Sequence, residues 1–171
     1  RKLKSLELNN YITDFPLSQL NGCTDLEVLS LPASFRSAGR LDTLPGGKPY
    51  SADAVYGLTS LKEIKIPKEN TYFSVYDNAL YSDNYENLWL MPRANKSLKI
   101  HKNTHYIFDK YCQNQYTEVT VQDGNKYFSS YKGVLYDKNI KKIKLFPCKF
   151  ANYEIPDSLK NIDTIIDYVV Y

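Results

Sequence analysis

The stretch Asn70–Tyr81, NTYFSVYDNALY, returns at Asn125–Tyr136 as NKYFSSYKGVLY. With a shift of 55 residues, Glu63 to Ile107 lies over Glu118 to Ile162 without a gap. Asn70/Asn125, Tyr72/Tyr127, Phe73/Phe128, Ser74/Ser129, Tyr76/Tyr131, Leu80/Leu135, Tyr81/Tyr136, Asn84/Asn139, Leu90/Leu145 and Pro92/Pro147 are identical. Ile64/Val119, Ile66/Val121, Leu88/Ile143 and Met91/Phe146 exchange one apolar residue for another. Apolar positions are kept while polar ones drift, as in two copies of one unit whose shared constraint is packing. A chain repeating on this scale is read as an array of stacked units.

A shorter period lies beneath. Leu3, Leu6 and Leu8 spell L-x-x-L-x-L, and Leu26, Leu29 and Leu31 repeat it 23 residues later. Leu61, Ile64 and Ile66 follow, then Asn95, Leu98 and Ile100, then Tyr116, Val119 and Val121, and loosely Asn152, Tyr153 and Ile155. Apolar–x–apolar has the period of a strand with alternate residues facing inward. One such strand cannot bury its face alone, but stacked copies can, as rungs of a solenoid. The expected fold class is therefore a β-rich α/β solenoid: right-handed, of leucine-rich-repeat type, with a parallel sheet of short strands and two inserted β-hairpins.

The whole chain, 1–171, is expected to form a single solenoid domain, itself a segment of a longer protein. LNGCTDLEVLSLP (Leu20 to Pro32) aligns with VYGLTSLKEIKIP (Val55 to Pro67). The extra residues between these rungs include Gly39, Pro45, Gly46, Gly47 and Pro49, so 36–54 reads as an inserted loop. ALY (Ala79–Tyr81) and LWLM (Leu88–Met91) are strand-like runs about a turn, SDNYEN, and the second copy repeats the arrangement. Residues 70–92 and 125–147 are therefore the hairpin inserts. Each closes on a proline, Pro92 or Pro147, which cannot donate to a ladder.

Composition narrows the function classes. The chain has 171 residues, 43% of them hydrophobic, enough for a sizeable core. A net charge of +3 is too mild to imply nucleic acid as a partner. No apolar run reaches membrane-spanning length and no signal-like leader stands at Arg1, so no membrane insertion by this segment is expected. Cys23, Cys112 and Cys148 cannot all pair within the chain, and each sits among apolar residues, so they read as buried thiols. Tyrosine is abundant, with 16 residues against 7 Phe. Its large ring and polar tip suit both half-buried strands and binding surfaces.

The spacing and motifs resemble the BspA-like leucine-rich repeat family, the type with 23-residue units. LEVLSLP and LKEIKIP carry its strand signature, with Ile155–Pro156 in YEIPDSLKNI. Cys23 occupies the family's cysteine position, and GVLYDKNIKKIKLFP is similar to its recurrent GVLY…YP element. The alanine–phenylalanine pair of the family is mostly replaced. The resemblance implies a bacterial cell-surface or secreted protein with adhesive relatives.

Candidate sites are few. His101 and His105 in HKNTH have a helical zinc spacing, but they follow a strand and Lys102 stands where a catalytic glutamate would be, so no metal site is expected. Cys112 with His105 would be a thiol–imidazole pair, but Cys112 falls at a core position. LPGGKPYS lacks the spacing of a phosphate loop, and no nucleophile or zinc-protease motif appears. Neither catalytic residues nor cofactors are expected. Trp89 alternates outward in LWLM, where the other copy has Lys144, and Tyr85 stands near it at the turn. The pair reads as an aromatic ligand platform, against the plainer reading that Trp89 packs on a neighbouring rung. Lys62, Lys65, Lys96 and Lys99, with Lys68 and Lys102 beyond, would form a basic stripe if their strands are neighbours. Glu7, Glu63 and Glu154 dilute it, and a solvated lysine face is the plainer reading. The expectation is a surface-exposed protein- or glycan-binding module, adhesin-like and non-catalytic, whose partner is a host or neighbouring-cell protein or glycan. The alternative is an architectural spacer displaying another domain.

Overall fold

The computed structural model describes residues 2–38, 42–43, 49–50, 57–107, 116–147, 152–154 and 157. Its strands, in chain order, are β1 (Ser5–Glu7), β2 (Val28–Ser30), β3 (Asp42–Thr43), β4 (Pro49–Tyr50), β5 (Glu63–Lys65), β6 (Phe73–Tyr76), β7 (Ala79–Ser82), β8 (Asn87–Leu90), β9 (Ser97–Ile100), β10 (Tyr106–Ile107), β11 (Glu118–Val121), β12 (Phe128–Tyr131), β13 (Val134–Asp137) and β14 (Ile143–Leu145). The single helix among the described residues is a 3-10 turn, Leu17–Leu20, behind Pro16. The helical half of the expected α/β class thus has no α-helix to represent it there, and the fold is a β-solenoid.

The rung strands pair as the leucine pattern requires. β1, β2 and β5 form a parallel sheet with Leu6, Leu29 and Ile64 in register. A slip of one residue would turn these three side chains out to water, so burial holds the register. β9 and β11 pair in parallel with Leu98 beside Val119. Leu3 in the first rung is 46% exposed, whereas its equivalents Leu26 and Leu61 are fully buried, since described neighbours flank the first rung on one side only.

Among the described residues the rung strands fall into two parallel sheets, and β5 and β9 are not paired. The chain just before them does meet, since Ala94 N–H and Asn95 Nδ2 donate to the Leu61 and Lys62 carbonyls. On β9, the carbonyls of Lys96 and Ile100 face β11, accepting from Thr117, Glu118 and Gln122. Lys99 therefore faces the other way, and its N–H donates to the carboxylate of Asp77 rather than to β5. Asp77 and Asn78 form the two-residue turn between β6 and β7, both with positive φ (49° and 60°). Such a turn matches the twist of a hairpin. In the second copy the corresponding turn is Lys132–Gly133, and the Gly133 carbonyl accepts the N–H of Val119 at 2.7 Å.

Each hairpin insert is larger than the sequence pattern indicates. β6, β7 and β8 form an antiparallel meander, and so do β12, β13 and β14. The strand added to the expected pair is FSVY or FSSY, immediately before the tight turn. β8 then pairs in parallel with β10, Leu88 beside Ile107, so the insert is built into the solenoid wall and does not project from it. Ala79, Leu80 and Tyr81 are all fully buried. Leu80 joins the core under the first rungs, and Ala79 and Tyr81 join the core under β9 and β11. β7 is thus covered on both faces and partitions the interior.

Two polar devices lock successive turns together. Asn70 is buried, and its Nδ2 donates to the carbonyls of Pro32, Ala33 and Phe35 while its Oδ1 accepts from Tyr72 and Phe73. Asn125 repeats this with the carbonyls of His101 and Thr104 and the N–H groups of Tyr127 and Phe128. Gly57 (φ 79°) stacks on Gly22 (φ 83°) one turn below, and a Cβ on Gly57 would lie 3.4 Å from the Gly22 nitrogen. Cys23 is free and half-buried against the first core. Cys112 and Cys148 lie outside the described residues, as does most of the loop 36–54, within which β3 and β4 pair antiparallel.

Candidate binding surfaces

The lysine positions come first. Lys62, Lys65, Lys96 and Lys99 are all exposed. Lys62 is paired, however, with Glu27 at 2.9 Å, and Glu27 also meets Lys4 at 3.2 Å on the first rung. Lys65 pairs with Glu63 at 3.3 Å. The two lysines flanking Glu27 hold its carboxyl below the usual range, Lys62 through its hydrogen bond most strongly. Lys4, Glu27 and Lys62 therefore form an alternating ladder across the first three rungs. The strands of Lys62/Lys65 and of Lys96/Lys99 are not paired neighbours, and the Asp77 carboxylate is bonded to Lys99 N–H between them. The segments just before β5 and β9 still meet, with Ala94 N–H donating to the Leu61 carbonyl and Asn95 Nδ2 to the Lys62 carbonyl.

Trp89 and Tyr85 pack against different cores. Trp89 is half-buried and packs against the core of the first rungs. Tyr85, in the left-handed region at φ 63°, packs against the other core. Its ring stacks on His101 with centroids 4.1 Å apart, and edges of Tyr76 and Tyr81 close the cluster. Burial holds the His101 imidazole below its usual pKa, with Lys102 adding to the effect. Burial likewise pushes the Tyr81 hydroxyl up. His105 lies outside this cluster, against Tyr106 and Tyr127. The two histidines thus occupy different surroundings, and among the described residues no group of His, Cys, Asp or Glu is placed to hold a metal ion.

The feature missed by alternation is a set of tyrosines. Tyr72, Tyr106 and Tyr127 each stand six positions after the last apolar residue of their rung, Ile66, Ile100 and Val121. Their exposures are nearly equal, 49%, 51% and 50%. Tyr72 lies against the Arg36 guanidinium at 5.9 Å, and Tyr127 against the His105 ring at 5.0 Å. Arg36 and His105 hold matching places: each N–H bonds the carbonyl of the turn before, Thr13 or Glu86. The signal was present as the N-x-Y-F repeat, but its half-exposure depends on how the following strand enters the wall.

A groove of about 490 Å³ opens at the ends of β1, β2 and β5. Glu7, Ser30 and Lys65 cross it in register, over Leu8, Leu31 and Ile66.

No family model matches the chain, and none of the curated proteins matches it. Among solved structures, it is similar to the pneumococcal vaccine antigen PcpA, at 20% identity and a TM-score of 0.42 over 80% of this chain and 29% of that one. It is also similar to a leucine-rich repeat protein from Eubacterium ventriosum, at 17% identity and a TM-score of 0.53 over 95% of this chain and 47% of that one. The chain spans less than half the length of either. The second likeness, with the stacked in-register leucines, identifies the fold: a leucine-rich-repeat-like β-solenoid.

Proposed function

We propose that the protein is a surface-exposed or secreted binding module of the right-handed, BspA-like leucine-rich-repeat group, adhesin-like and without catalytic activity, whose partner is a protein or glycan. One observation carries the reading. Positions exposed in both copies change freely: Lys68 to Asp123, Glu69 to Gly124, Thr71 to Lys126, Asp77 to Lys132. Tyr72 and Tyr127, equally exposed, do not change. Asn84 and Asn139 are also kept while exposed, but Asn84 has a structural task, accepting hydrogen bonds from Ser82 Oγ and Glu86 N–H. Half-exposed tyrosines are efficient binding residues because they offer apolar area at small entropic cost.

The spacer reading has its own support, since the ladder pairs Lys4 and Lys62 with Glu27 on the first three rungs. A glycan and matrix-protein array separates the two. A binding module gives a hit that weakens when Tyr72 and Tyr127 are both replaced by alanine, whereas folded protein with no hit on any probe favours the spacer.

A further inference from the structure

Building on the binding-module reading, we infer that Tyr72 and Tyr127 are equivalent subsites for a linear carbohydrate polymer, read twice along the solenoid.

The two positions are built alike. Each tyrosine follows a buried asparagine by two residues, and that asparagine fixes the tyrosine's own backbone N–H, at 2.8 Å for Tyr72 and 2.7 Å for Tyr127. Each ring lies beside a side chain, Arg36 or His105, contributed at the matching position of the turn before. The presentation of the ring is therefore set by the repeat rather than by chance.

The surroundings favour a sugar over a protein surface. A protein hot spot gathers aromatics inside a desolvated apolar patch. Here the residue before each ring is polar or charged and exposed, Thr71 before Tyr72 and Lys126 before Tyr127, while the phenylalanine after each, Phe73 or Phe128, turns into the core. A half-exposed ring with a hydroxyl tip, beside a hydrogen-bonding side chain (Arg36 at Tyr72, His105 at Tyr127), matches a ligand with an apolar C–H face and a polar rim. Tyr106, across His105 from Tyr127, enlarges the second subsite; Ser37 holds the corresponding place beside Arg36.

The repetition explains why a polymer is the better ligand. β6, which Tyr72 precedes, lies three strand spacings from β10, which His105 precedes. At ~4.8 Å per strand that is about 14 Å, with Tyr127 one chain further. A linear polymer can engage both rings at once, and the second contact is then intramolecular. A dimer reaches only one.

The test uses the full 171-residue chain. Binding is measured to a β-1,4-glucan, an N-acetylglucosamine polymer and hyaluronan, each as polymer and as dimer, with collagen and fibronectin as protein probes. The variants are Tyr72→Ala, Tyr127→Ala, both together, and Tyr72→Phe with Tyr127→Phe, each checked by thermal unfolding. The expected result is binding to one polymer, at least tenfold above its dimer, roughly tenfold weaker in each alanine variant and lost in the double, with the phenylalanine pair retaining it. Polymer binding unchanged in a folded double-alanine variant overturns the inference. Binding to a protein probe alone, lost in the double variant, also overturns it while leaving the binding-module reading intact. Folded protein that binds no probe of either class overturns both.

Discussion

The side-chain amide of Asn70 donates to the carbonyl of Phe35, 2.8 Å away and one turn of the solenoid earlier. The same side chain accepts from Phe73 at 2.8 Å, where β6 begins. One residue thus satisfies backbone groups on two turns that the strand ladders leave out.

Replacing Asn70 or Asn125 by alanine strands several buried donors and acceptors together. Each unsatisfied group costs about 1–3 kcal/mol, so a loss of about 3 kcal/mol or more is expected for either variant. Chemical denaturation is the measurement. A change below about 1 kcal/mol would mean that water replaces the side chain and that the lock is dispensable.

Gly57 and Gly124 separate two costs. Both have positive φ, at 79° and 87°, so alanine at either costs about 1–2 kcal/mol for the left-handed conformation. Only Gly57 also meets backbone, with the Gly22 nitrogen 3.4 Å from the added Cβ, while nothing lies within 4 Å at Gly124. Gly57→Ala is expected to lower the melting temperature more than Gly124→Ala. Equal losses would show that stacking of these two turns is not tight.

Trp89→Ala is expected to act on folding. The indole packs against the first core, and removing a large aromatic there costs about 2–4 kcal/mol. Trp89→Phe should recover much of this. A variant with unchanged stability and altered ligand binding would return Trp89 to the surface role its alternation implies.

His101 predicts a pH dependence. Its pKa is lowered in the folded state by burial first and Lys102 second, so the unfolded chain takes up the proton more readily. Stability from this site is complete above the ordinary value of 6.5 and declines as pH falls through it toward the lower folded value. Melting curves across this range should slope downward with acid, and His101→Phe should flatten them. The imidazole resonances should titrate below 6.5; a titration at or above that value would contradict its half-buried packing against Tyr85 and Tyr76.

Glu27 works at lower pH. Its carboxyl is held down by Lys62 and Lys4, so its contribution is present above the ordinary value of 4.5 and fades as pH falls below it. The pair is exposed and so screened by salt. Glu27→Gln should remove this acid-side slope at low salt and change little at high salt, as read from melting temperatures.

The legible part of this fold was the part written in short-range alternation. Leu6, Leu29 and Ile64 announce parallel rungs because a strand with period two has only one way to bury such residues beside identical neighbours. The duplication at 55 residues likewise announces two copies of one insert. FSVY was less legible as a strand, since four residues with Ser74 as the one polar member are too short a run to show a period. Its real marker is the Asp77–Asn78 turn that comes after it.

Local pattern was therefore enough for the rungs, the 23-residue pitch and the existence of the inserts, because those depend on residues close in the chain and on the same residues stacking on their own copies. It was not enough for anything set by which distant segments meet. Whether Lys62 is a free cation depends on Glu27, 35 residues away. Whether the Lys99 N–H meets β5 or a side chain depends on Asp77, 22 residues away. Whether Trp89 faces water depends on the first core lying against the side of β8 that alternation leaves open. Burial is a property of the packed whole, and a strand covered on both faces, as β7 is, hides the alternation from which its facing would otherwise be read.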